Sequence, residues 1–345
     1  MKELIIGKNE ANQRADKFLI KYLSKAERGF IFKMIRKKNI TLNDKKMTGS
    51  EMLSIGDHIK IFFSDETLAK FVTPLQAKQN QNKKEDKCII SRHDIEMFAN
   101  AILYEDNNII LINKPAGMLS QKAFANDISA NELLISYLTD KRKLTPDALR
   151  TFRPSVCNRL DRNTTGILIA GKSLAGLQDM AKALRDRTIH KYYLCLVNGV
   201  MTSGQKLDGY LWKNEKNNTV TISETPTKNA TRICTVYEPI ANNETYSLLR
   251  IQLVTGKPHQ IRAHLASIGH AIAGDTKYGD KHVNELISKK YHVHTQLLHA
   301  YELDFSDYKP ENDELKNLTG KLFRAKLPGA FRKVLIGEDM YGNME

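Results

Sequence analysis

Cysteine is scarce and scattered in this chain: Cys88, Cys157, Cys195 and Cys234 stand far apart, with no C-x-x-C pair among them. That spacing excludes a disulfide framework and a zinc knuckle, and it points to reduced thiols in a reducing compartment. Long apolar runs are missing as well. No stretch approaches 18 uninterrupted apolar residues, so no membrane-spanning helix is expected. The opening residues Met1 to Lys8 lack the apolar region and cleavage site of a secretory signal, and the protein is expected in the cytoplasm. Acidic residues are in deficit, 39 against 53 lysines and arginines, which leaves a formal net charge of +14. A field of that sign draws polyanions, nucleic acid before an anionic membrane surface. What is present, 41% hydrophobic residues over 345 positions, suffices for a large core and exceeds one typical domain, so a large domain with a small module is expected.

The small module is expected over residues 1–65. Apolar residues at three- and four-residue intervals predict a helix over Arg14–Leu23 and a second over Phe30–Lys38. A short strand at Ile40–Leu42, a turn at Asn43–Lys46 and an alternating strand over Ile59–Phe63 follow. Arg28, Lys33, Arg36, Lys37 and Lys38, joined by Lys45 and Lys46, cluster in one helix and the adjoining turns. Scattered charges would read as a solvated face, whereas this density suits phosphate contacts. The arrangement resembles the small RNA-binding module of ribosomal protein S-four. Residues 66–98 hold few apolar side chains and predict a flexible linker.

From residue 99 to 335 short β-rich runs outnumber helical patterns. Strands are expected at Asn108–Ile112, Ile167–Ala170, Tyr192–Val197, Arg232–Tyr237 and Leu248–Val254, and helices at Ala130–Leu138, Leu174–Arg185 and Gln260–Ser267. That ratio predicts an α+β domain with a mixed, largely antiparallel sheet.

Two patterns invite a functional reading and fail on physical grounds. Gly166 to Ser173 matches the Walker A pattern letter for letter, but its central Ile167-Leu168-Ile169-Ala170 is an apolar run that extends as a strand and cannot curl around a phosphate. No nucleotide cofactor is expected. His259, His264, His270, His292, His294 and His299 lack metal-ligand spacing, since His259 and His264 lie five apart with no glutamate between them. They are expected to be structural or to face RNA, and no metal or other cofactor is expected.

The segment Asn158-Arg159-Leu160-Asp161-Arg162-Asn163-Thr164-Thr165-Gly166 places one carboxylate between two guanidinium groups, just before a strand that must be buried. Taken alone it reads equally as a surface turn in which Asp161 pairs locally. It does not stand alone. Asn113-Lys114-Pro115-Ala116-Gly117-Met118, Lys191-x-Tyr193, His259-Gln260-Ile261-Arg262-x-His264-Leu265 and Leu298-His299-Ala300 accompany it in order along the chain. Together these segments resemble the RluA-type family of RNA pseudouridine synthases, most closely its RluC branch, which carries an N-terminal module of the kind described above.

The resemblance implies an isomerase that converts uridine within RNA to its C-glycoside, with Asp161 as its catalytic aspartate. One carboxylate suffices, because uracil leaves as a delocalised anion and is itself the returning nucleophile. The family chemistry has the aspartate either attack the sugar or remove a proton from it, and the sequence leaves both open. Arg262 is implied as its cationic partner and Tyr193 as the aromatic face for the target base. The target must be flipped out of its stack. Arg159 is the candidate for bracing the vacated space, with Lys114 and Lys172 as phosphate contacts. Asn158, Thr165 and Lys257-Pro258 depart from the residues usual in the family, which touches RNA contacts and target choice rather than chemistry. The expected substrate is large-subunit ribosomal RNA. The alternatives are transfer RNA, or a non-catalytic RNA-binding factor in ribosome assembly. The protein is expected to be a monomer.

Overall fold

The apolar spacing of the first two helices is realised in the computed structural model, which describes residues 1–72, 90–141, 144–145, 148–214, 217 and 219–342. Helix α1 (Ala15–Tyr22) buries Phe18, Leu19 and Tyr22, and α2 (Arg28–Arg36) buries Ile31, Met34 and Ile35. They pack on an antiparallel sheet in the order β1 (Lys2–Ile5), β4 (His58–Ile61), β2 (Ile40–Leu42), β3 (Lys45–Lys46). Helix α3 (Asp65–Phe71) closes the module: Ser64 caps it, the Phe71 ring lies 4.4 Å from that of Phe30, and Val72 enters the same core.

The expected linker over 66–98 is therefore corrected at both ends. Helix α3 belongs to the module, and α4 (Arg92–Asn100) begins the large domain with a capping box between Ser91 and Asp94. Low apolar content concealed both helices. Helix α3 has no fully buried residue and leans on Leu68, Phe71 and its cap residue Val72, α4 buries only Phe98, and the Ser64 and Ser91 caps each satisfy a free N–H group. Residues 73–89 of that linker lie outside the described residues.

The large domain continues with β5 (Ile102–Glu105), β6 (Ile109–Lys114), α5 (Ala130–Asp140), α6 (Ala148–Thr151), β7 (Ser155–Val156), β8 (Thr165–Gly171), α7 (Leu174–Asp186) and β9 (His190–Asn198). Then come β10 (Gln205–Asn214), β11 (Thr219–Ser223), β12 (Thr231–Asn242), β13 (Tyr246–Leu253), α8 (Gln260–Ser267), α9 (Lys281–Tyr291), β14 (Leu298–Asp304), β15 (Leu322–Arg324) and α10 (Gly329–Gly337). The sheet runs β11-β10-β12-β13-β9-β14-β8-β6-β5, with β7 added beside β8 and β15 beside β14. Among the described residues its pairings are antiparallel except β8 with β14, so the expected α+β class holds.

Strand alternation distributes the core. Ile110, Ile112, Leu168, Ala170, Tyr193 and Cys195 face α4, α5 and α8, while Ile109, Leu111, Ile167 and Ile169 face α7. Helices on both faces explain why β6 and β8 read as continuous apolar runs. Residues 166–173, the apparent Walker A match, hold β8: all of Thr165–Gly171 is buried and extended. Gly166 has another duty. Its φ is +104°, and a Cβ there would lie 2.2 Å from the Ala300 carbonyl oxygen, so only glycine permits β8 to approach β14.

Candidate active site

Asp161 lies in the loop between β7 and β8, and that loop is held from below. Lys114, at the end of β6, is fully buried and donates from Nζ to the carbonyls of Pro115, Met118 and Arg162 at 2.9 to 3.0 Å. Burial pushes its ammonium down to about 7, with the Asp161 carboxylate acting the other way. Only the ammonium form can donate to three carbonyls at once. Ser120 adds a second clamp, accepting from the Leu160 N–H at 3.0 Å and donating to its carbonyl at 2.9 Å. The Thr164 N–H closes the turn on the Asp161 carbonyl.

Opposite stands α8. Its cap residue His259 sits at φ +56°, and Arg262 in the first turn reaches Asp161, donating from Nη1 to Oδ2 at 2.8 Å. The same guanidinium is fixed from behind by Asp275, to whose two oxygens Nε and Nη2 donate at 2.7 and 2.8 Å. Burial opposes the Arg262 charge, and the pairs with Asp275 and Asp161 override it, holding the group well above its ordinary value. Asp275 itself has no exposed surface. Burial pushes its carboxyl up, but Arg262 and the N–H groups of Lys277 and Tyr278 hold it below the usual range. A bidentate pair inside a dry wall fixes the guanidinium plane, so Asp161 meets a preset donor.

Two further groups line the carboxylate. His259 Nε2 lies 3.9 Å from Asp161 Oδ2, while its Nδ1 is 2.9 Å from the Tyr278 hydroxyl, which accepts from the Val220 N–H. Burial lowers the His259 imidazole, against the pull of Asp161, and favours its neutral form. Tyr193 on β9 is buried, and burial followed by the Asp161 charge raises its phenol above the ordinary range. It stays a neutral donor with an aromatic face. The Asp161 side chain keeps 25% of its surface exposed, and its Oδ1 has no hydrogen bond among the described residues. One oxygen is thus anchored and the other open.

The expected site residues divide accordingly. Asp161, Tyr193 and Arg262 converge, and Arg159 stands exposed at the rim. Lys114 and Lys172 do not present charge to a ligand, a correction of the expected phosphate contacts. Lys114 is spent on carbonyls, and Lys172 is buried against the Glu105 carboxylate and the Asp106 carbonyl. Both flank strands covered on both faces, where a cation survives only if paired. Arg28, Lys33, Arg36, Lys37 and Lys38 are all exposed on the module. Of these, Lys33, Arg36, Lys37 and Lys38 have no carboxylate partner among the described residues. The histidines are partly structural, as expected. His264 meets the Thr235 hydroxyl, and His299 sits between Thr165 and the Ala325 carbonyl. Among the described residues no group of three or more His, Cys, Asp or Glu side chains could hold a metal ion.

Asp275 and Tyr278 received no role from the sequence, and His259 only that of a structural or RNA-facing histidine. The segment Gly274 to Gly279 is visible as a turn, but nothing in its spacing ties it to Arg262, which comes earlier on a different element.

The same region matches a family model described as RNA pseudouridylate synthase over residues 108–267, which includes Asp161, Tyr193 and Arg262. A ribosomal large subunit pseudouridine synthase C from Buchnera aphidicola (subsp. Baizongia pistaciae) is 30% identical over 340 residues, 96% of either chain. The chain belongs to the RNA pseudouridylate synthase family. Members are isomerases that convert uridine in RNA to pseudouridine. The enzyme of the same name from Vibrio parahaemolyticus is 27% identical over 96% of this chain and 95% of that one. Among solved structures, human RNA pseudouridylate synthase domain containing 4 shares the fold, at a TM-score of 0.56 and 22% identity over 70% of this chain and 94% of that one.

Proposed function

We propose that this pseudouridine synthase isomerises uridines of large-subunit ribosomal RNA, with Asp161 as the catalytic carboxylate. The observation that carries the reading is the Asp161 carboxylate itself: one oxygen is held by a guanidinium that Asp275 immobilises, the other has no hydrogen bond among the described residues, and its charge acts on the buried Tyr193 phenol. The N1–C1′ bond between uracil and ribose breaks, the base turns against the Tyr193 face, and C5 bonds to C1′; C5 then loses its proton and N1 takes one up, so the product is an isomer of the substrate. The open oxygen serves either attack on the sugar or removal of its proton. Arg262 orients the carboxylate by its hydrogen bond to Oδ2. The Tyr193 phenol donates toward the departing base. Arg159 and Arg162, exposed on either side of Asp161, meet the RNA around the flipped nucleotide. Relatives named for the large ribosomal subunit, matched along nearly their whole length, support that substrate over transfer RNA.

Purified protein and its Asp161→Asn variant, incubated with transcribed large-subunit ribosomal RNA and with transfer RNA, test the reading by chemical labelling and reverse-transcription stops. The wild type is expected to produce discrete stops in the ribosomal transcript, and the variant none, while both bind the RNA alike. Stops confined to transfer RNA would reassign the substrate, and residual stops in the variant would remove Asp161 from the chemistry.

A further inference from the structure

Lys191 belongs to the Lys191-x-Tyr193 pattern, yet the chemistry above makes no use of it. It sits at a small cavity of about 110 Å³, where α7 passes into β9 and β13 runs out toward α8. Arg187, His190, Lys191 and Gln252 supply the polar lining, with Ile189 and Leu253 in the apolar wall. Nearby side chains are already engaged: His190 pairs with Asp307 at 2.7 Å, and Asp186 with Arg185 at 3.2 Å. Neither Arg187 nor Lys191 has a counter-ion or hydrogen-bond acceptor for its charged head among the described residues. Burial, and then the Arg187 charge, push the Lys191 ammonium down.

Two like charges at one apolar-walled cavity, one of them half-buried, are unfavourable as they stand and become favourable once an anion enters. A cavity of this size holds only a few waters, which a phosphate group can replace. Its place along the chain relates it to the active site. Lys191 lies two residues before Tyr193 and so on the same face of β9, roughly 7 Å along the strand. Its Nζ runs beside Gly256, where an added Cβ would meet it at 3.4 Å, in the loop that ends at His259. RNA whose target base rests on Tyr193 carries its backbone past this cavity. We infer that Arg187 and Lys191 form a phosphate-binding subsite for a backbone phosphodiester of the substrate RNA close to the target uridine. The phosphate site itself rests on the cavity; its place beside a target uridine, and which RNA fills it, rest on the proposed function.

The test uses the full chain with Lys191→Met, Lys191→Arg and Arg187→Gln, bound to transcribed large-subunit ribosomal RNA across a potassium chloride series. Each neutral variant is expected to lower the slope of log affinity against log salt by about 0.7 to 0.9. Lys191→Arg keeps the slope, and in the neutral variants the loss in pseudouridine formation falls on KM, which rises severalfold, rather than on kcat. Lys191→Met is also expected to melt at or above the wild-type temperature, a direction that a structural lysine would not give. Arg187 is exposed, so its variant folds in any case. Unchanged slopes in both neutral variants overturn the subsite. Unchanged slopes together with inorganic phosphate raising the melting temperature of the wild type, but not of Lys191→Met, assign the cavity to free anions and overturn its role in RNA binding. Lowered slopes with no pseudouridine formed by the wild type leave the subsite standing and refute the enzymatic reading. Pseudouridine formed with unchanged slopes does the reverse.

Discussion

At the scale of single residues, the geometry of the carboxylate depends on a neighbour that touches no substrate. Asp275 holds Arg262 with two hydrogen bonds from inside the wall, through Nε and Nη2, which turns Nη1 toward Asp161. Replacing Asp275 by Asn keeps the shape and removes the charge that fixes the guanidinium. The expected result is a kcat lower by about a hundredfold, the scale of a 1 Å misplacement, with RNA affinity unchanged in filter binding. Loss of a buried partner is also expected to cost about 3 kcal/mol in urea unfolding. A variant with wild-type single-turnover rates would show that Arg262 needs no support. The pairing of Asp161 with Arg262 was legible because chemistry and family pattern both mark it. Asp275 was not, since a supporting carboxylate has no signature except its partner in space.

At the scale of elements, β8 and β14 meet as a parallel pair in a sheet otherwise antiparallel among the described residues, and His299 ties them together. Its Nε2 lies 3.2 Å from the Ala325 carbonyl, which can only accept, so Nε2 carries the proton and Nδ1 faces the Thr165 hydroxyl at 2.7 Å. Burial pushes this imidazole down to about 4 from an ordinary 6.5. Below pH 6.5 the unfolded chain takes up a proton that the folded one refuses, so stability falls as pH drops from 6.5 toward 4. His299 alone is expected to remove roughly 2 kcal/mol by pH 5. Denaturant melts at pH 7.5 and pH 5 check this, and His299→Gln should flatten the difference by that amount. An equal loss in both proteins would place the acid sensitivity elsewhere.

The elements on either side show why some were readable. The helix expected at Gln260–Ser267 forms over those residues, and β8 extends the run Ile167–Ala170 by only a few positions, because periodic burial writes itself into sequence. Strand β10 and helix α9 were missed. Each carries polar residues on a wet face, and β10 blurs its alternation by turning Gly209 inward and Trp212 outward.

At the scale of the whole molecule, the basic module meets the large domain through polar contacts that include Lys8 with Glu314, Asn9 with the Leu174 N–H and Glu10 with Thr151. It has its own apolar core, which ends at Val72. Deleting residues 1–72 is therefore expected to leave the large domain folded, as judged by circular dichroism and an intact cooperative melt. RNA binding should weaken, with the salt slope reduced by about 0.9 for each phosphate that Lys33, Arg36, Lys37 and Lys38 neutralise in the full chain. A slope equal to that of the full chain would end the RNA-binding role of the module.

From sequence alone followed the α+β class, a net charge that favours polyanions, the local elements with one dominant period and the residues proposed for the chemistry. Each is decided by composition, by spacing along the chain or by the side chain's own reactivity. The tertiary structure decided which charges are free to act. Lys114 and Lys172 look like phosphate contacts in one dimension and are buried anchors in three, Asp275 emerges from an ordinary turn to set Arg262, and Arg187 is brought beside Lys191. The value of a charge depends on the dielectric around it and on the partner opposite, and neither exists until the chain has folded.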